Sequence, residues 1–508
     1  MNGQQTRLGW IITGLLLGIF VSAMDNTIVS TAMGTIVAQL GGLDKFVWVT
    51  SAYMVTEMAG MPIFGKLSDM YGRKRFFMFG VVVFLLGSAL CGTAHNIVQL
   101  AIYRAIQGLG GGALAPIAFT IIFDVVPPDR AGKFSGMFGA VFGMSSIIGP
   151  LLGSYITDHI NWRWVFYINL PIGIVAFFII LLCYHESRRH MKQSIDWLGA
   201  ATLVPAIVCL MFGLEFGGNK YAWNSFPIIS LFTAAAVLFA AFLYIETKAA
   251  DPIVSYSMFR KRLFAGSIWV GLFSSAAFII AVVYIPIYVQ GVLGGSATNS
   301  GLILLPMMLG SSVSAPLGGN LVSKMGYRKI MFVSCMVFAV GIYLLSTLTA
   351  DTSRWMLTLY MVLVGLGIGP SFSVLGMAGM HHFDERQRGA AGATQSFIRE
   401  LGMTVGITVF GIMQRNLFTH DLKTAFGGMS QVVQRWQGAD PHAMLSPETR
   451  TQIPPFILDK LKVALASSIA HTFAWTMILA VLALLFVFWL SKERWEGFRQ
   501  SSQAPVHD

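Results

Sequence analysis

Apolar stretches of membrane-spanning length dominate the chain, separated by short polar or charged turns. They fall at about 9–38, 46–66, 76–95, 98–123, 134–157, 164–184, 197–216, 225–246, 264–290, 299–322, 330–350, 355–379, 389–414 and 465–490. Roughly 20 residues at 1.5 Å each cross a hydrocarbon core about 30 Å thick, so the pattern predicts fourteen spans and an all-α polytopic membrane protein. The first run contains Val21-Ser-Ala23 and could pass for a signal peptide. Its apolar character continues through Ile36, which makes it a span instead.

The spans repeat. Gly65-Lys-Leu-Ser-Asp69-Met-Tyr-Gly72-Arg73-Lys74-Arg75 returns as Gly319-Asn-Leu-Val-Ser-Lys-Met-Gly326-Tyr-Arg328-Lys329, 254 residues later in a chain of 508. Tyr103-Arg104-Ala-Ile-Gln107-Gly108-Leu-Gly110-Gly-Gly112 returns as Tyr360-Met361-Val-Leu-Val364-Gly365-Leu-Gly367-Ile-Gly369 at an offset of 257, and Arg130-Ala-Gly as Arg388-Gly-Ala at 258. Such duplication marks many transporter scaffolds. The glycines recur, as close helix packing requires. Asp69, Arg104 and Gln107 are replaced by Ser323, Met361 and Val364, so the polar residues kept in one copy are the better functional candidates.

Six plus two plus six is the simplest organisation: a first bundle over 1–190, two inserted spans over 191–255, and a second bundle over 256–508 with an outer loop at 416–460. Within that loop the apolar spacing at 432–436 and 457–465 predicts short amphipathic helices.

Composition agrees: 55% of residues are hydrophobic and 11% charged, against about 25% charged in soluble proteins, and the mean hydropathy is +0.68. The net charge of +11 would suit a nucleic-acid binder, but its placement says otherwise. With a cytoplasmic N-terminus, 22 of the 34 Lys and Arg lie on the cytoplasmic side, ten outside and two, Arg104 and Arg399, within the membrane. This is the positive-inside pattern, with both termini cytoplasmic. The four cysteines all lie in spans without a CxxC, so they indicate no disulfide framework.

The segment 65–75 resembles the cytoplasmic loop motif of the major facilitator superfamily. Residues 104–112 resemble its helix-4 motif, and Gly143-x5-Gly149-Pro150-x2-Gly153 resembles the helix-5 motif of its antiporters. Met24-Asp25-Asn-Thr-Ile28-Val resembles the motif of the fourteen-helix drug:proton antiporter branch. The resemblance implies a bacterial cell-membrane exporter driven by protons and acting as a monomer. It also implies that the first and fourth spans line the cavity.

Within that frame Asp25 and Arg104 are the first candidates. Asp25 lies about 25 Å in from the cytoplasmic side and Arg104 about 10 Å below the outer edge, depths that agree within a turn. A mid-membrane charge costs on the order of 2.5–3.5 kcal/mol, so each needs a partner or a wet cavity. Proton coupling needs a carboxylate that can exist in both states, a role for Asp25 that Arg104 could tune; a fixed structural ion pair is the alternative. Glu57 and Glu400, equally deep, are candidates for a second proton site or a contact with a cationic substrate. Arg399 is buried beside Glu400, but neighbours on a helix point about 100° apart and should not pair. Gln107 is a further buried polar residue. Asp69, at the inner end of the second span, reads as a gate, paired with arginines such as Arg73 and Arg130 or set against a helix N-terminus. Gly143, Gly149, Pro150 and Gly153 give a thin, kinked face that should form the seam between the bundles.

No ATP or dinucleotide site is legible. Residues 60–66 have P-loop spacing, but Leu67 replaces the required Ser/Thr. No cofactor is expected. The reading is a proton-coupled exporter of lipophilic, cationic drugs, with an endogenous amphiphile such as a lipid or peptide as the alternative cargo. An intramembrane enzyme would rest on His381-His382 with Asp384 and Glu385 as a metal cluster; adjacent histidines on a helix splay apart, which disfavours it.

Overall fold

The structure is a computed structural model that describes residues 2–41, 47–186, 196–218, 220–249, 251–295, 297–384, 387–426 and 454–495. Fourteen long helices account for most of them. The first bundle holds α1 (Asn2–Leu40), α2 (Val47–Tyr71), α3 (Arg73–Gly92), α4 (Ile97–Val125), α5 (Pro128–His159) and α6 (Trp164–Cys183, interrupted at Ile168). The inserted pair is α7 (Trp197–Phe216) and α8 (Phe226–Glu246). After the short helix Tyr256–Arg260 come α9 (Arg262–Gly291), α10 (Ala297–Met325), α11 (Tyr327–Leu345), α12 (Arg354–Met380), α13 (Arg388–Ala425) and α14 (Pro455–Val487). Among the described residues there is no strand, only an isolated bridge between Gly217 and Tyr221. Twelve of the helices are long and apolar enough to cross a membrane by composition alone. The other two, α2 and α5, are equally long, and α2 is joined to α3 through Gly72 alone, so it runs back alongside a span.

The duplication is visible in the turns. Gly72 and Gly326 are single-residue links between α2 and α3 and between α10 and α11, with φ of +110° and +81°, a region that glycine enters without a Cβ clash. The recurring helix-4 glycines do the same work twice. A Cβ on Gly108 would lie 2.2 Å from the Tyr53 carbonyl oxygen, and one on Gly365 would lie 2.0 Å from that of Met307. α2 thus packs on α4 as α10 packs on α12, backbone against backbone.

Between the bundles, α5 lies along α10 and α2 along α13. The inserted pair packs on itself and on α2, with Leu203, Ile207, Met211 and Phe242 closing over Val55, Met58 and Phe397. Gly14 of α1 abuts Ile179 and Ile180 near the close of α6, and Trp495 meets Phe123 near the close of α4 at 6.2 Å. The start of α1 and the segment after α14 therefore share one end of the molecule, called here the terminal end.

The connection expected over 416–460 is shorter than that. α13 continues to Ala425 because Phe418, Leu422 and Phe426 bury against Leu461 and Leu465, at spacings of four that make one apolar face. The expected helix at 457–465 is the first part of α14 rather than a separate element, and the one at 432–436 lies outside the described residues.

Candidate functional site

Asp25 and Arg104 form an ion pair with 0% and 1% of their side chains exposed. The carboxylate is fully engaged. One oxygen accepts from Arg104; the other accepts from Gln107 Nε2 and Asn169 Nδ2, each at 2.8 Å. Arg104 also donates to Gln107 Oε1 at 2.8 Å and to the Val49 carbonyl at 3.3 Å, and its guanidinium lies 4.1 Å from the Tyr53 ring centroid. Asn169 in turn donates to Ser88 Oγ at 3.0 Å. The network ties α1, α2, α3, α4 and α6 together, and buried charge is tolerated because each oxygen has a donor.

Glu57 lies in a different environment. A cavity of about 250 Å³ opens between the bundles, lined by Ser22, Ala23, Asn26, Glu57, Met61 and Phe142 from the first bundle and by Phe278, Met308, Phe372, Arg399, Glu400 and Met403 from the second. A smaller pocket of about 60 Å³ shares Phe142, Phe278, Phe372 and Arg399 and extends to Phe119, Phe138 and Gln395. Glu57 is hydrogen-bonded by Asn26 and is close enough to Glu400 for their charges to interact. Arg399 reaches Glu400 at 4.0 Å, so these neighbours do make a loose contact, contrary to the expectation from helix geometry. The Arg399 guanidinium also lies 5.8 Å from the ring centroids of both Phe142 and Phe372. Asp25 does not line the cavity, and among described α4 residues only Ala115 does; α1 lines it well and α4 barely.

At the terminal end Asp69 joins the two bundles. Its carboxylate accepts from the backbone N–H groups of Gly389 at 3.0 Å and Ala390 at 2.9 Å, the first turn of α13, and from Arg73 at 3.1 Å. A carboxylate at a helix N-terminus satisfies orphan N–H groups and the helix dipole together. Gly65 allows the approach: a Cβ there would lie 2.8 Å from the Gly389 carbonyl oxygen. Arg73 also pairs with Asp124, which Arg388 approaches at 3.5 Å. The Arg130 side chain lies outside the described ones. Arg388, its counterpart in the repeat, is the second-bundle arginine present here, directed at Asp124 rather than Asp69.

The small-residue face of α5 divides. Gly143 faces Met308 of α10 across the bundle interface, whereas Gly149 and Gly153 face Thr27, Ile28 and Thr31 of α1. Two of the three glycines therefore serve packing inside the first bundle, since α1 follows α5 along this stretch. Pro150 lies inside a helix that continues to His159.

Asn169, Asn26 and Asp124 were not singled out from the sequence. Asn169 and Asp124 carried the same signal as Asp69: a polar residue in an otherwise apolar run, placed beside a helix break or a helix end.

Residues 15–407 match the family model described as the Major Facilitator Superfamily. The chain belongs to that superfamily. It is 53% identical over 498 residues to "Multidrug resistance protein 3" of Bacillus subtilis (strain 168), covering 97% of each chain. It is 36% identical over 508 residues to "Multidrug transporter protein MdtP" of the same organism, covering 96% of this chain and 94% of the other. Among solved structures, the superfamily's proton:xylose symporter XylE aligns over 97% of this chain and 98% of its own with a TM-score of 0.62 at 15% identity, a likeness of fold alone.

Proposed function

We propose that this protein is a proton-coupled exporter of lipophilic, cationic compounds, working by alternating access in a bacterial cell membrane with both termini in the cytoplasm. The observation that carries it is the cavity between the bundles, which Glu57 and Glu400, within electrostatic reach of each other, line together with Phe142, Phe278, Phe372 and several methionines. Aromatic and thioether walls accommodate varied apolar shapes. Two acids near one arginine leave room for a cation, or for a proton in its absence. Competition between the two for the same carboxylates is antiport. The relatives named as multidrug transporters support export of drugs, and the membrane gradient supplies about 2.3 kcal/mol per charge per 100 mV. Asp69 on the first turn of α13 is the proposed gate, holding the terminal end shut while the cavity empties outward. The chain acts as a monomer, without cofactor or nucleic acid.

The test is proton movement in proteoliposomes challenged with lipophilic cations. Cation-driven proton release that disappears in Glu57→Gln supports the reading. Folded protein that moves no protons for any cation refutes it and favours an endogenous amphiphile as cargo.

A further inference from the structure

We propose that His381, His382 and Glu493 form a binding site for one divalent transition-metal ion of the zinc class, at the terminal end of the second bundle. The histidines close α12, and Glu493 lies in the segment after α14. Glu493 Oε2 is 2.8 Å from His382 Nε2 and 3.8 Å from His381 Nε2, and the three donor atoms lie within 4.8 Å of one another. Two imidazoles and a carboxylate with a position left for water are a donor set that suits zinc. The splaying expected of adjacent helical histidines does not occur, because His381 is the C-terminal cap of α12 and His382 is already in the turn. Asp384, the acid nearest in sequence, is not part of the cluster, and Glu385 lies outside the described residues.

Two further features favour a metal over a plain His–Glu contact. Tyr327, at the start of α11, is hydrogen-bonded to His381 Nδ1 at 3.0 Å, which directs Nε2 toward Glu493. Such an outer partner is what orients a metal-binding imidazole. The repeat supplies the second feature. Tyr327 follows Gly326 as Arg73 follows Gly72, and His381 stands at Asp124 plus the 257-residue offset. In the first bundle these positions hold a fixed cation, Arg73, between the carboxylates of Asp69 and Asp124. In the second they hold a tyrosine and a histidine, while Arg328 is directed to the carbonyls of Leu490 and Phe488. A bound dication would supply to Glu493 the charge that Arg73 supplies to Asp124. His382 and Glu493 are 33% and 45% exposed, so ions reach the site from solvent. Trp495 rests on His381 at 5.5 Å and on Phe123 at 6.2 Å. Metal held here would therefore brace the contact between bundles one residue from Asp124.

The site is read by metal binding rather than by transport, so it stands or falls apart from the proposed cargo. Purified untagged full-length protein, stripped with chelator, is titrated with Co2+ by visible absorption and then with Zn2+ in competition. The expected result is one Co2+ per chain, displaced by Zn2+, with affinity reduced at least about tenfold in His382→Asn and in Glu493→Gln. Tyr327→Phe should weaken binding about tenfold, the usual range for an outer-shell partner. Both ligand positions are partly exposed, and an unchanged melting temperature in their variants excludes misfolding. Saturable binding that persists unchanged in both variants, or no saturable binding by the wild type, overturns the proposal.

Discussion

Asp25 on α1 and Glu57 on α2 each carry a carboxylate into the first bundle, in opposite circumstances. Asp25 has a guanidinium, two amide donors and no exposed surface. Glu57 has an asparagine and a cavity in front of it, with Glu400 within electrostatic reach and, from the neighbouring network, Arg104 and Asp25 as well. Both oxygens of the Asp25 carboxylate are held by donors from neighbouring helices, and its charge is the ion-pair partner of the buried Arg104. A carboxylate beside another acid is relieved by a proton or by a cationic ligand. Under the proposed function the two acids would do different work: Asp25 would hold helices together, and Glu57, with Glu400, would meet what passes through.

The sharpest way to break that contrast is to remove Asp25. Asp25→Ala should lower stability by about 3–5 kcal/mol, the cost of leaving one member of a buried pair alone, read as a large drop in the melting temperature of the purified protein. The double variant Asp25→Asn/Arg104→Gln should recover much of that loss, because no uncompensated charge remains. An Asp25→Asn protein of wild-type stability that no longer couples to protons would reverse the assignment and return coupling to α1. Next in size is Asp69→Asn, which weakens two charge-assisted bonds to α13 and an ion pair to Arg73. At about 1.5–3 kcal/mol for a hydrogen bond to a charged group, and tenfold per 1.4 kcal/mol, the closed terminal end should lose at least tenfold in population. Spin-label distances between the ends of α2 and α13 measure it; an unchanged distribution would remove Asp69 from the gate.

How far the sequence reached follows the same division. Depth along a helix is legible, since it needs only the rise per residue, and it brought Asp25 to the level of Arg104. Duplication was legible too: Gly72 and Gly326, and Gly108 and Gly365, hold equivalent places. Rotation about the helix axis was not. Nothing in the order of residues told that Asp25 turns from the cavity while Ser22, Ala23 and Asn26 turn toward it, because helices in lipid are apolar on most sides and carry little periodic signal. Partners distant in sequence were equally hidden. Asp69 could be read as a gate, but not that it would find Gly389 and Ala390; Asp124 and Glu493 gain their meaning only from the chains that fold back to them.

A smaller effect tests whether α1 is held by packing as well as by charge. Gly149→Ala would place a Cβ 2.0 Å from Thr27 Oγ1 and 2.9 Å from Thr27 Cβ, pushing α1 off α5 at a cost of about 1–3 kcal/mol. Gly143→Ala would meet Met308 Cβ at 3.1 Å, a far milder approach than the 2.0 Å at Gly149, and should cost less than Gly149→Ala, about 1 kcal/mol. Equal losses at the two positions would show that α5 yields as a unit and that the division of its small-residue face has no energetic content.

The smallest effect on stability belongs to Glu57→Gln, and it decides the most. The amide keeps the shape of the acid and can still bond Asn26, while the repulsion from Glu400 is gone, so the melting temperature should stay level or rise slightly. Transport should not survive unchanged. With one carboxylate left in the cavity, a cation no longer competes with a proton for Glu57, and proton release per cation should fall to the background of protein-free vesicles. Uptake of the cation down its own gradient should persist, since Phe142, Phe278 and Phe372 still offer their faces. A Glu57→Gln protein that is destabilised by several kcal/mol would place this acid with Asp25 as a structural group. One that is stable and still exchanges protons would pass the coupling role to Glu400 alone, leaving Glu57 to set the charge of the cargo.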